Sequence, residues 1–163
     1  MTTTDLHSHH IEGYARAAVE AGKDGYFDVP LISHIEGNLW VGGCINGARL
    51  DDDFTHVVSL YQWERYALGK NTTRDEVEMY DAGEMPDVEQ LHEIADAVNV
   101  ALAKGKTLVH CQAGLNRSNL VAALALIKTG REPAAAIKLL REKRSPVVLC
   151  NETFEAWLLG QAA

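Results

Sequence analysis

Cys111 and Arg117 stand six positions apart in the run Leu108-Val-His-Cys-Gln-Ala-Gly-Leu-Asn-Arg-Ser118, with a hydroxyl directly after the arginine. An apolar run, Thr107 to Val109, leads in, and a strongly apolar stretch, Leu120 to Ile127, follows. The order strand, loop, helix aims successive backbone N–H groups at one spot. Such a nest binds an anion, and the helix dipole favours negative charge there. The same field and the adjacent cation stabilise a thiolate. A thiolate facing a bound phosphate, with a guanidinium beside it, is a phosphoryl-transfer nucleophile.

Such a reaction also needs a proton for the leaving oxygen. The nest contains no acid, so another loop must supply one. Asp81 is the candidate: it follows an expected strand, Val77 to Tyr80, and opens the turn Ala-Gly-Glu-Met-Pro-Asp. Glu84, in the same turn, is the rival. Asp87 is weaker, because helix capping already explains it.

The elements that must position these groups are legible in part. Ile11 to Ala21 reads as a helix stopped by Gly22. Residues 31 to 42 read as two short strands around a Gly37-Asn38 turn. His56 to Leu60 is a buried strand, and Thr107 to His110 delivers the cysteine. From Asp87 to Lys104, apolar residues recur at helical spacing, with Asp87 and Gln90 as a capping box. The helix after Arg117 is apolar on nearly all sides, so it should be buried. Pro133 suits the first turn of the next helix, and Asn151 caps a last one. The order predicts an α/β domain, a small central mixed sheet flanked by helices. Residues 1 to 30 read as an N-terminal extension, partly helical, and residues 31 to 163 as the catalytic domain.

At 163 residues, 47% hydrophobic and 23% charged, the chain fits one ordinary globular domain. No apolar run is long enough to span a membrane, and the N-terminus does not read as a secretory signal. Three widely spaced cysteines fit reduced thiols better than a disulfide framework. The expectation is a cytoplasmic protein without a membrane partner. A net charge of −8 argues against nucleic acid as a partner. Of the two densest basic stretches, Lys70 with Arg74 is too sparse to track a phosphate backbone. Arg141, Lys143 and Arg144 read as cations at a helix C-terminus. His7, His9 and His10 lack companion ligands, so they read as a solvated terminus rather than a metal site.

The run His110-Cys-Gln-Ala-Gly-Leu-Asn-Arg-Ser118 resembles the phosphate-binding loop of the cysteine-dependent protein tyrosine phosphatases, whose pattern is His-Cys, five residues, Arg, then Ser or Thr. The Ala-Gly pair resembles the dual-specificity branch. Ile35-Glu-Gly-Asn-Leu-Trp-Val-Gly-Gly looks like that family's opening strand pair, and Cys150-Asn-Glu-Thr-Phe like the start of its final helix. The resemblance implies that Cys111 attacks phosphorus and forms a cysteinyl-phosphate. The amides of Gln112, Ala113, Gly114, Leu115, Asn116 and Arg117 would hold the non-bridging oxygens. Arg117 would fork two of them. Ser118 would donate to the sulfur and make it a better leaving group, and a first-turn helix hydroxyl is its bland alternative. His110 would brace the loop from behind. Gly114 should take a backbone conformation closed to other residues. The family's general-acid loop also resembles Asp81-Ala-Gly-Glu-Met-Pro. Tyr61, Trp63 or Tyr66 would wall the cleft, or simply be loop aromatics. Asn151 would place the hydrolytic water, or only cap its helix.

Three features depart from the pattern. Gln112 and Leu115 stand where the superfamily's phosphoinositide phosphatases often carry basic residues. Asn116 and Asn119 replace the commoner Ser and Gly, and Asn116 is similar to the RNA 5′-phosphatase relatives. The reading is a phosphatase with no metal and no cofactor. Its expected substrates are phosphoproteins, on phosphotyrosine and further on phosphoserine or phosphothreonine. Rival readings are a phosphatase for inositol phosphates or RNA 5′ phosphates, and a non-catalytic phosphate-binding module. A rhodanese-like sulfurtransferase also uses a cysteine loop, but the Arg-Ser ending favours phosphate.

Overall fold

The computed structural model describes residues 5–162; residues 1–4 of the N-terminal extension lie outside them. Its centre is a five-stranded sheet built from β3 (Ile32–Glu36), β4 (Leu39–Gly42), β5 (His56–Ser59), β6 (Thr73–Glu76) and β7 (Thr107–His110). The spatial order is β3-β4-β7-β5-β6. β3 and β4 form an antiparallel hairpin whose turn needs Gly37 in the left-handed region, at φ 50°. β4, β7, β5 and β6 run parallel, so the sheet is mixed.

Alternation along the strands sorts the two faces. Val41, Val58 and Val109 join one buried cluster with Leu91, Ile94 and Val98 of helix α2 (Val88–Lys104) and with helix α3 (Arg117–Lys128). Leu108 and Val57 face the other way, onto Leu6, Leu50, Phe54 and Tyr66. The sequence order of helices is completed by α4 (Pro133–Lys143) and α5 (Glu152–Leu159). α3 is the hub, buried from Ser118 to Ile127 and packed against α2, α4 and α5. Its apolarity all round follows from that position. Asp87 caps α2 by accepting from the Gln90 N–H at 3.2 Å. Asn151 caps α5 by accepting from Thr153 and Phe154.

Two elements differ from the sequence reading. Residues 11 to 21 are not one helix. His10–Tyr14 is strand β1, and only Arg16–Glu20 is helical, as α1. β1 pairs antiparallel with β2 (Tyr26–Pro30), from His10 opposite Pro30 to Tyr14 opposite Tyr26. The alanines 15, 17, 18 and 21 carry helical propensity only from the point where β1 ends. Val77 to Tyr80 is not a strand either; β6 lies just before it. β6 is an edge strand paired only to β5. It therefore needs little apolar surface, and Thr-Arg-Asp-Glu suffices. The Val77 N–H still donates to the Ser59 carbonyl at 3.0 Å, after which the chain leaves the sheet. The N-terminus is docked rather than merely solvated. Leu6 is buried, His7 bonds Asp51 at 2.7 Å and His10 bonds Asp28 at 2.9 Å. Among the described residues, no cluster of three or more His, Cys, Asp or Glu side chains can hold a metal.

Candidate active site

Parallel strands β4, β7 and β5 end in register, with Gly42 and Ser59 flanking His110. The chain then turns through residues 111 to 116 into α3. The Cys111 N–H continues the ladder onto the Gly42 carbonyl at 3.2 Å. From Gln112 to Arg117 the N–H groups find no backbone acceptor among the described residues. Free amides at the start of a buried twelve-residue helix are a backbone arrangement that can hold an anion.

The peptide planes of this loop are held from outside. Gly114 sits at φ 72°, where a Cβ would come 2.4 Å from the Gly42 backbone and 2.5 Å from the Arg144 side chain. Arg144 is buried, only 6% exposed. Its Nε donates to the Gly114 carbonyl at 2.7 Å and its Nη2 to the Ala113 carbonyl at 3.0 Å. Its Nη1 donates to the Pro30 carbonyl at 2.8 Å and to Ser33 Oγ at 3.0 Å. Asn119 Nδ2 adds bonds to the carbonyls of Gly114 and Leu115 at 2.8 and 3.0 Å. In a planar peptide the C=O and N–H point oppositely. Tying these carbonyls outward therefore turns the following amides inward. Burial lowers the Arg144 guanidinium only to about 10, so it stays charged at neutral pH. Arg144 was read as one of three cations at a helix C-terminus; it does stand at the C-cap of α4, but its guanidinium is buried against the loop. A signal was available: Ala136, Ile137 and Leu140 are buried, and Arg144 continues their helical spacing.

His110 lies fully buried behind the cysteine. Its Nδ1 donates to the Cys111 carbonyl at 3.1 Å, which leaves Nε2 to accept from Ser59 Oγ at 2.8 Å. The Tyr66 ring meets it edge-on, and Tyr66 Oη donates to the Gly43 carbonyl at 2.7 Å. Burial pushes the imidazole pKa down to about 4, so it is neutral at physiological pH. Its geometry is that of a brace.

Cys111 Sγ lies 3.3 Å from Ser118 Oγ. Arg117 reaches the Met79 carbonyl through Nη1 at 3.3 Å, and its guanidinium lies 5.2 Å from the Tyr61 ring centroid. Its Nε is buried without a protein partner among the described residues. Burial pushes the Cys44 thiol up to about 12 and raises Cys150 as well, so neither competes as a thiolate. Of the three loop aromatics, Tyr61 alone meets the site. Tyr66 is buried in the scaffold, and Trp63 is 74% exposed.

Asp81 does not sit at a strand end, because β6 stops at Glu76. It is nevertheless brought to the nest. Its carboxylate accepts from Asn116 Nδ2 at 2.9 Å and from Asn151 Nδ2 at 2.7 Å. Asn151 also donates to the Ala82 carbonyl at 2.8 Å, and its N–H donates to Asn116 Oδ1 at 2.9 Å. The departure Asn116 and the cap Asn151 thus join the acid turn to the phosphate loop. Glu84 is exposed, away from this network.

Comparison with known proteins identifies the family and the fold. The family model of the dual specificity phosphatase catalytic domain matches residues 49–162. No curated protein sequence matches the chain. Human DUSP28 superposes at a TM-score of 0.66 with 18% identity, over 78% of this chain and 94% of its own. Tk-PTP in its active form gives 0.62 with 22% identity, over 81% and 98%. PTPMT1 in complex with PI(5)P gives 0.58 with 17% identity, over 82% and 99%. The chain belongs to the dual-specificity phosphatases of the cysteine-based tyrosine phosphatase superfamily, and its activity is hydrolysis of phosphomonoesters. No helix among the described residues is long and apolar enough to cross a membrane.

Proposed function

We propose that Cys111 is the nucleophile of a metal-independent protein phosphatase. The Cys111–Ser118 contact at 3.3 Å, set in a loop of unengaged amides, carries this reading. The thiolate attacks phosphorus in line, the alkoxide or phenoxide departs, and a cysteinyl-phosphate remains. The amides of Gln112 to Arg117 and the Arg117 guanidinium hold the equatorial oxygens, where positioning and charge do most of the catalysis. Asp81 gives its proton to the leaving oxygen. Water then cleaves the S–P bond, and Ser118 donates to the departing sulfur.

The substrates are phosphoproteins, on phosphotyrosine and further on phosphoserine or phosphothreonine. Neither Gln112 nor Leu115 offers a cation for a second phosphate, Leu115 is buried, and the net charge is −8. Inositol phosphates form the second reading, because one structural neighbour was solved with PI(5)P. RNA 5′ ends have only Asn116 in their favour. Three free cysteines suit the reducing cytoplasm. Residues 31–163 form the catalytic domain and residues 1–30 an N-terminal extension, whose residues Ala15, Ala18, Phe27 and Val29 pack with Leu115.

Turnover of a phosphotyrosine peptide, an inositol phosphate and an RNA 5′ phosphate tests the reading. The peptide should be the best substrate. Activity should survive EDTA and be blocked by vanadate, and Cys111→Ser should abolish turnover while still binding phosphate. Loss on chelation, restored by a divalent ion, would overturn the thiolate mechanism. An inert wild-type chain that binds phosphate would make it a binding module.

A further inference from the structure

The β1–α1–β2 unit precedes the region that matches the family model. It nevertheless borders the phosphate loop. Leu115 is 3% exposed because Ala15, Ala18, Phe27 and Val29 cover it, together with Cys150. Ala113 packs at the margin of the same cluster. The Pro30 carbonyl at the end of β2 shares the Arg144 guanidinium with the loop. α1 is thereby fixed opposite the acid turn.

Between the two lies a recess of about 390 Å³. One wall is α1 and its end, with Arg16, Ala17 and Ala21; the other holds Asp81, Gly83 and Thr153. The acid turn is secured on its side, since Thr153 Oγ1 donates to the Gly83 carbonyl at 2.9 Å. Alanines on the α1 wall leave the volume open.

We propose that α1 is a specificity-determining wall, and that this recess receives the polypeptide next to the phosphorylated residue. The inference rests on the reading of Asp81 as general acid. An acid within hydrogen-bond reach of the leaving oxygen must also lie beside whatever that oxygen is attached to. In a phosphoprotein this is the side chain and its flanking backbone. Asp81 is a wall of the recess, so the flank that passes Asp81 meets α1. A para-nitrophenyl leaving group carries no flanking polypeptide to enter the recess.

Ala17→Leu places a larger side chain into the recess. Steady-state kinetics on a phosphotyrosine dodecapeptide and on para-nitrophenyl phosphate read the result. The ratio of kcat/KM, peptide over aryl phosphate, should fall about tenfold or more, the scale of steric discrimination in a pocket. Arg16→Glu is a second variant that adds no volume, on a side chain 91% exposed. It should shift the preference between peptides with acidic and basic flanks towards the basic one. Parallel loss on both substrates in Ala17→Leu, or unchanged peptide selectivity in Arg16→Glu, would overturn the wall. A wild-type chain inert on both substrates would instead overturn the phosphatase reading itself.

Discussion

The Arg144 guanidinium donates to the Gly114 carbonyl at 2.7 Å, from a site 6% exposed, thirty residues along the chain. It fixes the peptide plane whose N–H belongs to Leu115. The charge that sets the loop is therefore behind it, distinct from the Arg117 charge, which reaches the Met79 carbonyl and the Tyr61 ring. Arg144→Met should take the guanidinium donor from the carbonyls of Ala113 and Pro30 and leave Gly114 with Asn119 Nδ2 alone. Stability should drop by roughly 2–5 kcal/mol, the scale of stranded buried acceptors of a charged donor. Among molecules still folded, kcat/KM should fall by about 10²-fold, as for groups misplaced by about 1 Å. Urea melts and active-site titration with vanadate separate the two effects. Full activity per folded molecule would show that the loop sets itself.

Ser118→Ala removes the hydroxyl 3.3 Å from the sulfur. Breakdown of the cysteinyl-phosphate should slow more than its formation. Stopped-flow release of nitrophenol should then show a burst followed by slow turnover. Equal slowing of both phases would assign Ser118 to loop stability alone.

The leaving group is the probe for Asp81. A proton matters most when the departing oxygen is basic, so Asp81→Asn should lose about 10²–10⁴-fold on a phosphotyrosine peptide. The loss should be far smaller on an aryl phosphate with an acidic phenol. Glu84→Gln should show neither. Asn151→Ala removes one of the two amides on the Asp81 carboxylate, at 2.7 Å, and should reproduce the leaving-group pattern in weaker form. Leaving-group dependence in Glu84→Gln alone would transfer the role to Glu84.

His110 makes stability depend on pH. Burial holds its folded pKa near 4, against 6.5 for the free imidazole. Below about 6.5 the unfolded chain takes up a proton that the folded chain refuses. Between these values the unfolded state binds more protons, so stability falls as the pH drops. The full shift corresponds to about 3 kcal/mol, complete near pH 4 and absent above about 7. Denaturant melts at pH 7 and pH 5 should show the loss in the wild type. His110→Asn should lower stability at pH 7 yet flatten this part of the pH dependence. An unchanged slope would mean that other groups govern it.

Local chemistry was legible in the sequence. Strand β7, the Cys111–Ser118 loop and helix α3 follow one another without a break, so apolar pattern and spacing are enough to place them. The caps made by Asp87 and Asn151, the Gly37 turn and the Pro133 helix start are also short-range: each of these interactions involves only sequence neighbours. Partners distant in sequence were not legible. β1 looked helical because its stabilising contact, β2, is a non-local pairing that alanine content does not encode. The strand was read at Val77 to Tyr80 and not at β6, because an edge strand buries little and Thr-Arg-Asp-Glu carries no apolar pattern. The exposed or buried state of Arg144 depends on the Gly114, Ala113 and Pro30 carbonyls that face it. The same holds for Asn116 and Asn151, whose amides meet Asp81 only after the acid turn folds back. Sequence pattern placed the proposed nucleophile, since its loop is a local backbone conformation. Tertiary structure alone decided that Arg144 braces that loop as well, because a buried charge is tolerated only where carbonyls from several segments converge on it.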